Sequence, residues 1–500
     1  MGNLDRRVGV AWRRAIAWCA LAILFLGSLA IVIYAASGRS ALVSNSTTWT
    51  VFPGWLAGPF HGLIGRPSAS KTTVDEGFSA VLVVMIAAYL VALWAGRSLS
   101  GRAIGLFAGA MAVLLLLSPP LQLTDIFNYL AYARLGAVHG LNPYTHTINA
   151  ELRDPTYQLS TWHNWHSPYG TLFTALTYPV ALLPLPVAFW TMKALTVLFS
   201  LTFLWLIARC ARLLGRDPRL PVLIVAANPV YLIYAVAEFH NDFFMLVPAM
   251  AAIAWLLSGH YRRAGGALAA AVAVKLTMIL LLPFLLLAAW RRHATLRVIT
   301  GAILGAVALG ALSLMLFGPV LPNVSGQSRL LTGWSVPNLL GWAIGLDGGT
   351  PQLVRDMNVL IVLVVGYQLL RRRDWLTGAG WATLALLASL GWLMPWYVVW
   401  LLPLAVLADS VTLRRVAVIA SVFVAVTFLP VVGILEQKLE FNPTSGPVGV
   451  AAYKYDWLAQ HWRPHVVPPW VAHEDELRLL RRCGHRAGWQ CPRLLHEHSV

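Results

Sequence analysis

Runs of about twenty apolar residues recur along the chain, among them residues 15–36, 78–95, 187–208 and 298–317, and they fix its solvent. A helix crosses roughly 30 Å of hydrocarbon in about 20 residues. Open sheet edges leave backbone groups unsatisfied in lipid, so the predicted fold is an all-α polytopic membrane bundle. Composition agrees: 11% of the 500 residues are charged, against about 25% in soluble domains, and mean hydropathy is +0.68.

The formal net charge of +17 does not point to nucleic acid. The arginines fall in short clusters between apolar runs: Arg13 and Arg14, Arg97 and Arg102, Arg209 to Arg219, Arg262 and Arg263, Arg291 and Arg292, Arg371 to Arg373, Arg414 and Arg415. Loops that stay on the cytoplasmic side carry this bias. Alternating sides from cluster to cluster predicts about eleven crossings. It also predicts a re-entrant hairpin over 264–290 with Lys275 near its apex. One membrane domain then covers 1–435, with an external loop at about 121–167, and a polar tail follows over 436–500 on the outside. The first run reads as a retained anchor. Cys483 and Cys491 are placed to pair if the tail is exported. No internal repeat is evident, which argues against inverted-repeat transporters.

One stretch departs from the generic pattern: LTDIFNYLAYARLGAVHGLNPY, residues 123–144. Pro119 and Pro120 end the preceding run, so Asp125 emerges on the outer face. A helix over 125–139 is predicted to lie on the membrane surface, with Ile126, Leu130, Ala133 and Ala137 toward lipid. Asp125, Tyr129 and Tyr132 share the other face at i, i+4 and i+7. The same topology gathers Arg134, His163, His166, Tyr169, His240, Asp242, Arg329 and Trp396 on that side. Ionisable groups at membrane depth are candidates for function. A bilayer enzyme whose site faces outward has no nucleotide sugars to draw on. It suits a sugar carried on a lipid phosphate. Transfer needs a base for the acceptor hydroxyl, a task for a carboxylate such as Asp125. It also needs donors or cations at the departing phosphate, for which Arg134, Arg329, His240 and Lys275 are candidates. Aromatic walls for the sugars are available in Trp162, Trp165, Tyr169, Trp334 and Trp396.

Four segments in order, TDIFNYLAYARLGAVHGLNPYTH, WHNWHSPYG, EFHNDFFML with AAAVAVKLTMILLLPF, and MPWYVVWLLPLA, resemble the GT-C superfamily of membrane glycosyltransferases. The resemblance is to its actinobacterial polyprenol-phosphate-mannose-dependent mannosyltransferases and covers about residues 103–403. It implies an inverting enzyme, a catalytic aspartate at Asp125, and no cofactor. The implied partners are a polyprenyl-phosphate sugar donor, a glycolipid or cell-envelope glycan acceptor and the surrounding lipid. Where some relatives carry a second acid near the first, this chain reads Thr-Asp-Ile, which weakens the case for a divalent ion. His240, Asn241 and Asp242 match the family's segment; Lys275 matches in part, because Leu276 replaces a proline.

Plainer readings stand beside these. Asp125 is also a first-turn acid favoured by the helix dipole, and Asn241 and Asp242 sit where they cap the next helix. His163 and His166 are placed for interfacial anchoring more readily than for a metal. A transporter or flippase of lipid-linked sugars predicts polar residues on both faces, and a donor carrying arabinose or glucose is an alternative to mannose.

Overall fold

The computed structural model describes residues 2–37, 54–65, 69–121, 125–323, 326–371, 374–461 and 470, so the Cys483–Cys491 pairing lies outside the described residues. The described chain is helical throughout and contains no strand.

Four helices open it: α1 (Gly2–Ala36), the short α2 (Gly54–Ala57), α3 (Lys71–Ala95) and α4 (Gly101–Leu116). Ser70 and Ser100 start α3 and α4 by accepting from the backbone N–H of Thr73 and Ala103, satisfying donors left open at a helix start. Then come α5 (Asp125–Ala137), α6 (Thr171–Ala181), α7 (Leu185–Leu213) and α8 (Arg219–Ala226). A π-helical segment (Val230–Val236) precedes α9 (Asp242–Leu257) and α10 (Tyr261–Val274). The 3-10 stretch Leu276–Leu281 leads to α11 (Leu282–Trp290) and α12 (Thr295–Phe317). The rest of the chain supplies α13 (Val336–Ala343), α14 (Pro351–Arg371), α15 (Trp375–Ser389), the 3-10 turn Pro395–Tyr397, α16 (Val398–Leu407), α17 (Val411–Thr427), α18 (Pro430–Lys438) and α19 (Pro447–His461).

Among the described residues, α1, α3, α7, α12 and α14 are long and apolar enough to cross a membrane. Two bent pairs raise the number to seven if each is one span: α8 with the π-helical segment, bent by 56°, and α17 with α18, bent by 58°. The first bend follows from Asn228-Pro229, since a residue before proline is driven away from helical angles. Asn228 stays buried because its amide donates to Tyr89 and its carbonyl oxygen accepts from the Val230 N–H. Where a hairpin is expected over 264–290, α10 and α11 are separated by a break at Lys275 (φ −152°, ψ 116°). Small residues set the packing of α10 on α12. A side chain at Gly265 would strike the Val298 carbonyl, and one at Gly301 the Arg262 carbonyl, the close backbone approach typical of membrane helix pairs.

Loops segregate into two groups. Basic loops bond one another: Arg14 reaches the Ser98 carbonyl, Arg219 that of Leu99, and Arg216 that of Leu407. A second group joins the residues around 142–167, 317–338, 391 and 436–460. Here Asn142 donates to the Phe317 carbonyl, the Thr332 N–H to that of Gly391, Trp334 to Glu436, and Asn164 to Leu458 and Ala459.

The lipid-facing stripe predicted for α5 is not what the structure has. Ile126, Leu130 and Ala133 are buried against protein, because α6 and α7 pack on α5, and the polar loop that follows covers α5 as well. Asn128 bonds the backbone and hydroxyl of Thr161, and Tyr132 donates to the Trp165 carbonyl at 2.9 Å.

Candidate functional site

Asp125 is the first residue of α5, and its carboxylate, 14% exposed, faces the His240 imidazole. Oδ2 stands 3.4 Å from Nδ1 of His240. The ring is buried and lies flat on Trp396, with centroids 3.6 Å apart and planes at 14°. Trp396 comes from the 3-10 turn Pro395–Tyr397, which packs on the π-helical segment. Proline at the start of that turn fixes its entry angle.

Two residues on, Asp242 opens α9 and is fully buried. Its Oδ1 accepts from Lys275 Nζ at 2.9 Å and from the Trp400 indole N–H at 2.6 Å. Lys275 is delivered by the break between α10 and the following 3-10 stretch, and its side chain remains 24% exposed. Its ammonium lies over the rings of Trp400 and Tyr397, 4.7 and 5.0 Å from their centres. A buried carboxylate paired with a partly open lysine leaves cationic N–H donors facing outward.

A wall of phenols closes the other side. Tyr129 accepts from the Asn241 N–H at 3.2 Å, and its ring meets Tyr169 edge-on at 4.7 Å. Burial first, and then the negative charge of Asp125, push the Tyr169 phenol well above its usual value, so it remains a neutral donor. The same two causes, in the same order, raise Tyr129 and Tyr132.

Three buried polar atoms in this network make no hydrogen bond among the described residues: Nε2 of His240, Oδ2 of Asp242 and the hydroxyl of Tyr169. Native interiors pair nearly all such atoms. All three belong to the same network as the partly exposed carboxylate of Asp125.

Asp125, Tyr129, Tyr169, His240, Asp242, Lys275 and Trp396 are therefore brought together. The other predicted residues lie elsewhere, Arg134 on α5 and His163, His166 and Arg329 in the second group of loops. Arg134 is held by both oxygens of Asp154 (3.1 and 2.9 Å) and by the Ala181 carbonyl. His163 stacks on Tyr157 and uses its nitrogens on the carbonyls of Tyr157 and Gln460. His166 is exposed, and Arg329 lies over Tyr455 of α19. Trp400 was not singled out by sequence, although the MPWYVVW run that carries it was; Tyr397 was placed with Trp396 at an external hairpin tip. Among the described residues no three His, Cys, Asp or Glu side chains group to hold a metal.

Comparison with known proteins adds two matches to family models. Residues 24–292 match the alpha-(1→6)-mannopyranosyltransferase N-terminal domain, and residues 335–444 match the MptB C-terminal domain. The first range holds Asp125, His240, Asp242 and Lys275, and the second holds Trp396 and Trp400. Similar proteins include alpha-(1→6)-mannopyranosyltransferase A of Mycobacterium tuberculosis, 28% identical over 70% of this chain and 76% of that protein. The protein of the same name from Corynebacterium glutamicum is 24% identical over 64% of this chain and 74% of its own length. No solved structure matches the chain significantly.

Proposed function

As a member of the alpha-(1→6)-mannopyranosyltransferase family the chain is a glycosyltransferase, and we propose that it moves mannose from a polyprenyl-phosphate donor to a glycolipid or cell-envelope glycan. The family assignment replaces the transporter reading. The linkage formed is α-(1→6), after the relatives' names. In-line displacement inverts the anomeric centre, so an α product requires a β-linked donor.

The acceptor oxygen attacks C1 of the mannose as Asp125 takes its proton. The C1–O bond to phosphate breaks, and the electron pair leaves with polyprenyl phosphate, which is already a stable anion and needs no acid. Lys275, whose side chain is partly open, meets that phosphate, while the buried His240 stands behind Asp125; the donor set of Arg134 is occupied by Asp154 and Ala181. Nothing in this scheme calls for a nucleotide or a metal. The site faces the outside of a bacterial plasma membrane, in keeping with the basic loops gathered in the other group. About eleven crossings fit this placement if the short apolar helices span as well.

The observation that carries the reading is Asp125, partly open, set against a buried histidine among polar atoms without partners. The test is transfer of radiolabelled mannose by membranes containing Asp125→Asn. Loss of about a thousandfold is expected for a missing base, and undiminished transfer sinks the assignment.

A further inference from the structure

Lys193 lies in α7, a helix apolar enough to cross a membrane, and none of its side chain is exposed. A cation in such a place is costly and persists only where its surroundings compensate it. Its Nζ stands 4.2 Å from the centre of the Phe239 ring and 4.6 Å from that of Trp190, with Ser118 Oγ at 3.4 Å. Burial works against the charge on Lys193, and Glu238, itself 1% exposed, is the carboxylate that opposes that effect. Fully enclosed, Lys193 touches no substrate.

The residues it grips are the two before His240. Phe239 has φ +58°, in the left-handed region that a bulky side chain seldom enters. Such strain survives where neighbouring contacts over-determine it, commonly at functional sites. This one residue turns the chain between the π-helical segment and α9. Phe239 lies against Lys193, while His240 faces Asp125 and Asp242 binds Lys275.

We propose that Lys193 is a positioning residue for the transfer reaction: by holding the Phe239 ring under its ammonium it keeps the left-handed turn in place and sets His240 against Asp125. The proposal rests on Asp125 being the base. A cation is attracted to the ring face, the more so when dry, and an apolar side chain of equal length supplies no such attraction.

The test uses the full chain in membranes, with labelled polyprenyl-phosphate mannose and an α-mannoside acceptor. Removing Lys193 alone would strand the charge of Glu238, so one variant combines Lys193→Met with Glu238→Gln. The other, Phe239→Leu, keeps the bulk and removes the ring face. Each is expected to lower turnover about tenfold or more, the effect of a displaced catalytic group, while the melting temperature in detergent stays near wild type. The KM for each substrate should stay within about twofold, since ground-state binding is untouched. All three substitutions together should cost no more than the worse variant, because they break one contact. Wild-type turnover in either variant, or losses that multiply, overturns the proposal. If the charge-neutral pair does not fold, turnover of Phe239→Leu decides alone. Asp125→Asn runs alongside: full transfer there defeats the base assignment, whereas its inactivity beside normal Lys193 and Phe239 variants defeats only the positioning role.

Discussion

At the scale of single residues, the loop after α5 shows how a charge can be spoken for. Arg134 and His139 both bind Asp154, at 2.9 and 2.7 Å, and Thr156 donates to the same carboxylate. Burial alone would raise the Asp154 carboxyl. Hydrogen bonds from His139, Thr156 and Arg134 outweigh burial and hold it below its ordinary value of 3.8. A carboxyl depressed in the fold adds stability above its unfolded value and loses it as pH falls through the folded one. Unfolding of the 142–167 loop in acid, followed by limited proteolysis, should therefore set in below about pH 4, whereas in Asp154→Asn the loop should be cleaved faster already at neutral pH, with that acid step lost. An acid boundary unmoved by the substitution would show that Asp154 does not control it. The sequence displayed Arg134 as an available cation because its partner lies twenty residues away in a loop without periodicity. Asp125 was legible for the opposite reason: two prolines and the end of an apolar run place it locally. Lys193 was hidden because one lysine barely disturbs the apolar count of a 29-residue helix.

Among elements, hydrophobic period identified the helices and misjudged what they face. The apolar stripe of α5 looks the same whether it meets lipid or protein, and only the packing of α6 and α7 on it decides for protein. A turn near Lys275 was anticipated from the basic clusters that flank 264–290, although no proline stands beside it, whereas the bend that Pro229 makes after Asn228 was not. The start of α6 shows how elements share the site. Gly170 follows Tyr169 directly, and a side chain there would strike the carbonyls of Ala273 and Val274, next to Lys275. The phenol wall and the lysine break are thus held in register by one missing Cβ. Gly170→Val should separate them. Transfer should fall by about a hundredfold, as when reacting groups are displaced by about 1 Å, in protein that still runs as a single species on gel filtration. Activity near wild type would mean that Lys275 does not depend on this contact.

For the whole molecule, the arginine clusters carry an orientation that the helices themselves do not. Arg14, Arg97, Arg216, Arg219 and Arg414 belong to helix ends and loops far apart in sequence, yet they meet: Arg14 bonds the Ser98 carbonyl, Arg219 that of Leu99, and Arg414 lies within reach of the charges of Arg216 and Arg97. Asp125, Asp154 and the loop contacts to α19 belong to the other group. If the basic group stays with the cytoplasm, the candidate site opens outward. That is the arrangement a lipid-linked donor requires when the acceptor is an envelope glycan. Cysteine labelling reads this directly. In a background with Cys19, Cys210, Cys483 and Cys491 replaced, Leu152→Cys places an exposed thiol in the loop over α5. Arg263→Cys places one in a basic loop. A maleimide that does not cross membranes should label the first in intact cells and the second only after permeabilisation. Labelling of Arg263→Cys in intact cells, with Leu152→Cys protected, would invert the molecule and put Asp125 on the side where nucleotide sugars are available.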